Sequence, residues 1–557
     1  MVVKRIRQIV QLLFLSLFLF LLLETIYPLE SILPPDAYLR FDPLAALGTS
    51  LSARSIVLAS VLPALTLVIL TLFLGRFFCN WVCPLGTTLD ITDRVFFQKI
   101  ARWKLGQFPS HLRNLKYYIL AAFCISALLG LQLMWLLDPL SIVTRSYVLT
   151  LYSYSNFIAD SSFDGLSRVK GVNAVSESIY PFFEKYLTSP ENPVWQMHLP
   201  FFAVFAGIVF LGIYSRRFWC RGLCPLGALL GFLSKFRILR RVVSDECIEC
   251  AKCRRECKMR AISDDMRGTL DQECVECMGC VEICPTHAVS FKFQSPLSLF
   301  SPNKKSRLKT EQLNLSRRGF IKATVAGVAA VPLLSLNYGE RKINENVIRP
   351  PGALTEEEFL DKCIRCGECM KICPTNGLQP TFLEADLQGI WTPILVPNVG
   401  YCEYVCTACT QVCPTDDAIV PLTEEEKKQI KIGTAYIDRS RCIPWSEYQN
   451  CLVCEEVCPI PTKAIKFKNV IYKMYNNDLR KLKLPIVLKD KCIGCGICEN
   501  KCPVTPKAAI KVTCRAEGRK THGGLIKANE TSRMERPSSE GMEGGKSFLP
   551  FPLEIYS

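Results

Sequence analysis

One spacing constrains this chain more than any other feature. Cys-x2-Cys-x2-Cys-x3-Cys appears at Cys247, Cys250, Cys253 and Cys257, and again at Cys274, Cys277, Cys280 and Cys284. It returns at Cys363, Cys366, Cys369 and Cys373, and at Cys492, Cys495, Cys498 and Cys502. Two sets are variants: Cys402, Cys406, Cys409 and Cys413 open with a wider gap, and Cys442 stands apart from Cys451, Cys454 and Cys458. Pro follows the last Cys of every set but the first, where Lys258 stands instead. Three thiolates on one tight loop clasp three irons of a cubane, and the fourth corner is reached from elsewhere. In paired clusters the Cys before Pro ligates the neighbour. The spacing therefore predicts one [4Fe–4S] cluster on Cys247, Cys250, Cys253 and Cys284, and another on Cys274, Cys277, Cys280 and Cys257. Zinc ribbons and disulfides are the alternatives, and six recurrences of one pattern favour iron and sulfur. Six sets of four account for 24 of the 30 cysteines and predict six clusters. Among the last four sets, neighbours pair with neighbours or the outer two pair around the inner two, and the spacing leaves both open.

Four of the remaining cysteines lie in a repeat. Arg76-Phe77-Phe78-Cys79-Asn80-Trp81-Val82-Cys83-Pro84-Leu85-Gly86 parallels Arg217-Phe218-Trp219-Cys220-Arg221-Gly222-Leu223-Cys224-Pro225-Leu226-Gly227. Upstream of each copy is an Asp-Pro-Leu, at Asp42 and Asp138. The two aspartates are proton acceptors or helix caps, and the Pro that follows favours caps. Cys79, Cys83, Cys220 and Cys224 are a candidate redox or quinol site if the two copies are symmetric. The same pattern also suits a structural turn, a zinc site or a disulfide. Cys124 reads as an apolar packing residue, and Cys514 receives no role.

Histidine is scarce: His111, His198, His287 and His522. No Cys-x-x-Cys-His occurs, which excludes attached c-type haem, and no His sits centrally in an apolar run. There is no Gly-x-Gly-x-x-Gly after a strand and no Walker loop.

Five apolar stretches predict membrane segments: 9–23, 55–74, 117–137, 199–214 and 319–336. Basic residues cluster in 76–116 and 215–241, which places those segments on the cytoplasmic side and 138–198 outside. The net charge of +16 then reports topology and not nucleic-acid binding. The expected fold is a membrane α-helical bundle of four helices in two parallel repeats. A fifth, twin-arginine anchor and α+β bacterial-ferredoxin-like [4Fe–4S] domains complete it. The fifth segment follows Ser316-Arg317-Arg318-Gly319-Phe320-Ile321-Lys322, close to a twin-arginine export signal. The expected domains are a membrane domain at 1–243, a cytoplasmic two-cluster domain at 244–296, and a linker with the anchor at 297–340. A periplasmic four-cluster domain at 341–514 and a mostly disordered tail at 515–557 follow. The location is a bacterial cytoplasmic membrane, with two clusters inside and four outside.

On these motifs, residues 1–293 resemble the NapH-type membrane ferredoxin subunit of periplasmic nitrate reductase systems. Residues 316–513 resemble the NapG/MauM-type periplasmic polyferredoxin. The resemblance implies a quinol dehydrogenase that takes electrons from the membrane quinol pool. It would pass them to a periplasmic reductase or cytochrome of nitrate-reductase type. An assembly or maturation factor for a periplasmic metalloenzyme, or a conduit from cytoplasmic ferredoxin, are the alternative readings.

Overall fold

The computed structural model describes residues 2–29, 31, 33–97, 110–168, 180, 195–294, 315–334, 344–473, 479–515, 517–521 and 524–525. The chain separates into two compact units. One comprises Met1–Glu340, Leu360–Ile372 and Val412–Ala418, and the other Arg341–Phe359, Cys373–Gln411 and Ile419–Ser557.

The first unit is mostly helical, and it corrects the expected membrane bundle. Among the described residues, Val3–Glu24 alone is a helix long and apolar enough to cross a membrane. Four membrane-crossing helices and a fifth anchor of that kind are not formed. Leu58–Leu74 and His198–Ile213 are apolar but short. The run at 117–137 is cut: the helix Ser110–Leu128 ends, Gly130 turns the chain at φ +84°, and a single 3-10 turn follows at Met134–Leu136. The helix Arg317–Leu334 carries Arg317, Arg318 and Lys322 within its first two turns. Apolar composition had been taken as continuous span, but backbone breaks and charges set where these helices end. The basic residues read as topology signals behave differently as well. Arg76, Lys116, Arg217 and Arg237 are buried and are paired to acids.

The internal repeat survives as matched local structure. Asp42 caps Pro43–Ser52, its side chain accepting from Leu44 N, and Asp138 caps Pro139–Ser146, accepting from Leu140 N and Ser141 N. Proline at the first helical turn costs no hydrogen bond, because that N–H has no partner within the helix. Cys83 and Cys224 cap Pro84–Thr92 and Pro225–Leu233 in the same manner. The segment with the first two cysteine sets is closed by an antiparallel pair, Leu239–Val243 against Val289–Phe293.

The second unit is built on short antiparallel pairs. Thr434–Ile437 pairs with Ile510–Thr513, and Leu378–Pro380 with Pro393–Leu395. A longer hairpin joins Ile465–Lys473 to Leu479–Val487. Arg349 and Arg519 both bind Glu356 in its interior. The expected linker lies largely outside the described residues. So does the expected tail, apart from 515, 517–521 and 524–525, where Lys520–Thr521 pairs with Gly524–Leu525.

Candidate iron–sulfur centres

Four cavities in the protein are lined by quartets of cysteine. Cys257, Cys274, Cys277 and Cys280 surround one of about 400 Å³, in the first unit. In the second unit, Cys373, Cys402, Cys406 and Cys409 surround another of about 400 Å³. Cys442, Cys451, Cys454 and Cys502 line a third of about 380 Å³, and Cys458, Cys492, Cys495 and Cys498 a fourth of about 330 Å³. Each takes three thiols from one set and the Cys that closes the neighbouring set. The same exchange is visible where Cys366 faces both Cys363 and Cys413 in the first unit. Cys253 faces Cys247 and Cys250. Neighbouring sets thus share ligands, the alternative that spacing left open among the last four.

The walls fit a cluster. They are apolar, as with Met259, Ala261 and Ile262 beside Cys257. Backbone N–H groups aim at sulfur: Ala261 N donates to Cys257 Sγ at 3.3 Å, Ala464 N to Cys458 Sγ at 3.4 Å and Ala509 N to Cys502 Sγ at 3.4 Å. Such donors favour the thiolate and tune a cluster's potential. Among the described residues no three His, Cys, Asp or Glu side chains gather closely enough to hold one metal ion. The thiols stand around a space, which is the arrangement a cage of several irons requires.

The repeat brings Cys79, Cys83, Cys220 and Cys224 together in the interior of the first unit. All four are buried, and Cys83 feels both Cys79 and Cys220, while Cys224 feels the other three. Burial, with the neighbouring sulfurs, pushes the Cys83 and Cys224 thiols up, and burial does the same to Cys220. As free thiols Cys83, Cys220 and Cys224 are poor nucleophiles at neutral pH, which argues against dithiol exchange there. A bound metal centre deprotonates coordinating thiols outright. Two guanidiniums stand by to balance thiolate charge. Arg217, from the second copy, donates to the Cys79 carbonyl at 2.9 Å and the Gly86 carbonyl at 3.3 Å. Arg76, from the first copy, lies against Gly227, where a Cβ would sit 2.8 Å from Nη2. At Gly86 a Cβ would come within 2.6 Å of the Cys79 carbonyl, so both turns need glycine for close approach.

A buried ionic network joins this region to the second cysteine set. Glu273 accepts from Lys116 at 2.6 Å, Arg76 at 3.3 Å and the Tyr117 hydroxyl at 3.1 Å. Arg237 binds Asp271 at 2.6 Å and also Glu276. Asp90 joins Arg217 at 2.8 Å to Lys258 at 2.7 Å. Lys258, the residue that departs from Pro, is thereby used in docking. Trp81 Nε1 donates to the Glu276 carbonyl at 3.1 Å. The helix Val2–Glu24 touches several of these places. Arg7 donates to the Cys277 carbonyl at 2.7 Å, and Gln11 to the Asn80 carbonyl at 2.7 Å. Near its end, Lys371 donates to the Leu22 and Thr25 carbonyls. Of these groups, Arg76, Trp81 and Arg217 lie in the repeated motif and Lys258 in a cysteine set, whereas Gln11, Asp90 and Glu273 carry no local signal.

Repeated thiol cages with apolar walls and exchanged ligands define an iron–sulfur electron-transfer polyferredoxin. Residues 56–104 and 197–243 match a family described as a 4Fe-4S binding domain. Residues 359–379 and 485–505 match a second family of the same description, and 272–287 a third. The methylamine utilization ferredoxin-type protein MauM of Methylobacillus flagellatus is 35% identical over 189 residues, covering 34% of this chain and 75% of that protein. The ferredoxin-type protein NapG of Haemophilus influenzae is 33% identical over 218 residues, covering 37% of this chain and 75% of its own. NapG of Escherichia coli is 32% identical over 203 residues, covering 35% and 84%. The chain belongs to the MauM/NapG family of ferredoxin-type proteins, over roughly a third of its length. No solved structure matches it.

Proposed function

We propose that the protein is a six-cluster relay that moves single electrons from a membrane quinol to a partner oxidoreductase. Its 24 set cysteines are the ligands, and Cys79, Cys83, Cys220 and Cys224 form a further redox centre at the point of entry. Residues 1–293 are the entry half, NapH-like in their paired Cys-x-x-x-Cys-Pro motifs, and the MauM/NapG-like part is the exit. The observation that carries the reading is the helix Val2–Glu24. It is long and apolar enough to meet lipid, and it contacts the Cys277 and Asn80 turns through Arg7 and Gln11. A donor dissolved in lipid beside that helix thus stands close to the first thiols. The same helix suits a membrane anchor, and the twin-arginine segment suits export of the folded clusters that follow. The relatives' names point to two different systems, methylamine utilization and Nap, so the acceptor is proposed only as a periplasmic redox enzyme.

Menaquinol or ubiquinol added to anaerobic membranes should reduce the clusters, followed by electron paramagnetic resonance. Changing the four thiols of the repeat to Ser should abolish reduction by quinol while leaving reduction by dithionite. Clusters that stay oxidised with every quinol, yet respond to dithionite, would sink the donor assignment.

Ligand exchange gives a separate expectation. Cys502→Ala should remove the cluster of the Cys442 set and spare that of its own set. Iron content should fall by one cluster, and the lost signal should be the one also lost in Cys454→Ala. Loss of the same signal as in Cys495→Ala would overturn the exchange.

A further inference from the structure

The two Asp-Pro-Leu motifs meet. Asp42 and Asp138 are both buried, at 0% and 1% exposure, and their carboxyl groups lie within hydrogen-bonding range of each other. Their surroundings differ. Asp138 uses both oxygens, Oδ1 accepting from Leu140 N at 3.4 Å and Oδ2 from Ser141 N at 2.7 Å. Asp42 Oδ1 accepts from Leu44 N at 2.8 Å, but Asp42 Oδ2 is buried with no donor. Two adjacent carboxylates away from water cannot both ionise without a large electrostatic cost. A proton on Asp42 Oδ2, donated to Asp138, removes the repulsion and satisfies the orphaned oxygen together. Leu44 N caps one oxygen of Asp42, and Ala45 N lies near without giving Oδ2 a well-formed donor.

The pair also has an electrical neighbour. Arg145, buried on the helix that Asp138 caps, feels Asp138 and also the Cys366 and Cys363 thiols. It donates to the Arg365 carbonyl at 3.2 Å. Most other charged groups on the elements packed around the pair have partners of their own, and Arg113 acts on Glu273. Arg40 is bound to Asp36 and Asp416, Lys116 to Glu273, and Asp90 to Arg217 and Lys258. Tyr147 shares a hydrogen bond with Thr88, and the His198 ring meets the Trp195 carbonyl.

We propose that Asp42 and Asp138 form a proton-binding site coupled to the cluster on Cys363, Cys366, Cys369 and Cys413. The inference rests on the cluster reading above. One electron delivered along the proposed relay reduces the cluster and adds one negative charge near Arg145. That charge raises the proton affinity of the pair, so the fraction of molecules in which it is doubly ionised takes one proton from solvent and forms an O–H bond at Asp42 Oδ2. Oxidation reverses both, one electron leaving the cluster and one proton leaving Asp42. Burial and the facing carboxylate push Asp42 well above the usual carboxylate range. The repeat thereby supplies a proton acceptor as well as thiols, and electron flow is tied to proton uptake.

Two readouts on the full-length, cluster-loaded protein test this. In redox titrations followed by paramagnetic resonance, one component should show a midpoint potential that falls as pH rises. Reduced-minus-oxidised infrared spectra should show a protonated-carboxyl band that shifts in D2O. Asp42→Asn should lose the band and the pH dependence while keeping the cluster's signal intensity. If that variant does not fold, Asp138→Asn serves the same comparison, and the wild-type spectra stand alone. A pH-independent potential with no carboxyl band, or both features unchanged in the variants, overturns the proton site and leaves the cluster assignment intact. Absence of the cluster signal lost in Cys366→Ala overturns both.

Discussion

Replacing Glu273 with Gln is expected to destabilise the first unit by about 3–5 kcal/mol, the usual loss when one member of a buried ion network is removed. Glu273 is the shared acceptor for Lys116 and Arg76, whose side chains are fully buried. Burial alone would push its carboxyl up, but Lys116 and Arg76 together hold it below the usual carboxylate range. Glutamine keeps the shape and removes the charge, so Lys116 loses its ion-pair partner and Arg76 loses one of the negative charges beside it. Denaturant unfolding of the cluster-loaded protein, followed by far-ultraviolet dichroism, measures the loss. Adding Lys116→Met should recover part of it, because an apolar residue of similar volume removes one orphaned charge. A Glu273→Gln change below about 1 kcal/mol would place the network at the level of an exposed ion pair.

The second large effect concerns Glu356 and acid. Burial raises its carboxyl, and Arg349 and Arg519 outweigh burial and hold it at about 2. Against an ordinary value of 4.5, the difference corresponds to at most about 3 kcal/mol of stability. The sign follows from the depressed value. The stabilisation is complete above the unfolded-state pKa and is lost as pH falls through the folded one. The stability gap between wild type and Glu356→Gln should therefore be near its full size at pH 6. It should narrow below about 4.5 and close toward 2. Comparing the two proteins at each pH cancels acid damage to the clusters. A gap that stays constant from pH 6 to pH 3 would contradict the pairing.

The cysteine sets were legible because cluster chemistry writes itself into local spacing. The helix starts were legible for a related reason: Asp42-Pro43, Cys83-Pro84, Asp138-Pro139 and Cys224-Pro225 each place a cap before a proline. The membrane bundle was not a sound deduction. Leu, Ile and Phe contents say that a segment avoids water, but not whether lipid or protein replaces it. Nor do they reveal that Gly130 ends one run or that the 3-10 turn Leu211–Ile213 follows Phe210 in another. Charge counts failed in the same way. Arg76, Lys116, Arg217 and Arg237 read as topology signals on the cytoplasmic side, but their partners Glu273, Asp90 and Asp271 lie up to 197 residues away. Ligand sharing among the last four sets depends on how loops fold back, which spacing does not encode.

The crossed arginines bear on how such a chain arises. Arg217 fills the turn of the first copy at the Cys79 and Gly86 carbonyls, and Arg76 lies against Gly227 of the second. Each copy therefore completes the other, as facing surfaces do across a two-fold dimer. A half-length ancestor with one Arg-x-x-Cys-x-x-x-Cys-Pro-Leu-Gly would meet that need by pairing with itself. Around that shared core the two arginines differ in their partners. Arg217 now takes Asp90, whose counterpart in the second copy is Gly231, and Arg76 takes Glu273 from the cluster segment. Symmetry is thus kept at the thiols and broken at the acids that the two arginines take, Asp90 for one and Glu273 for the other.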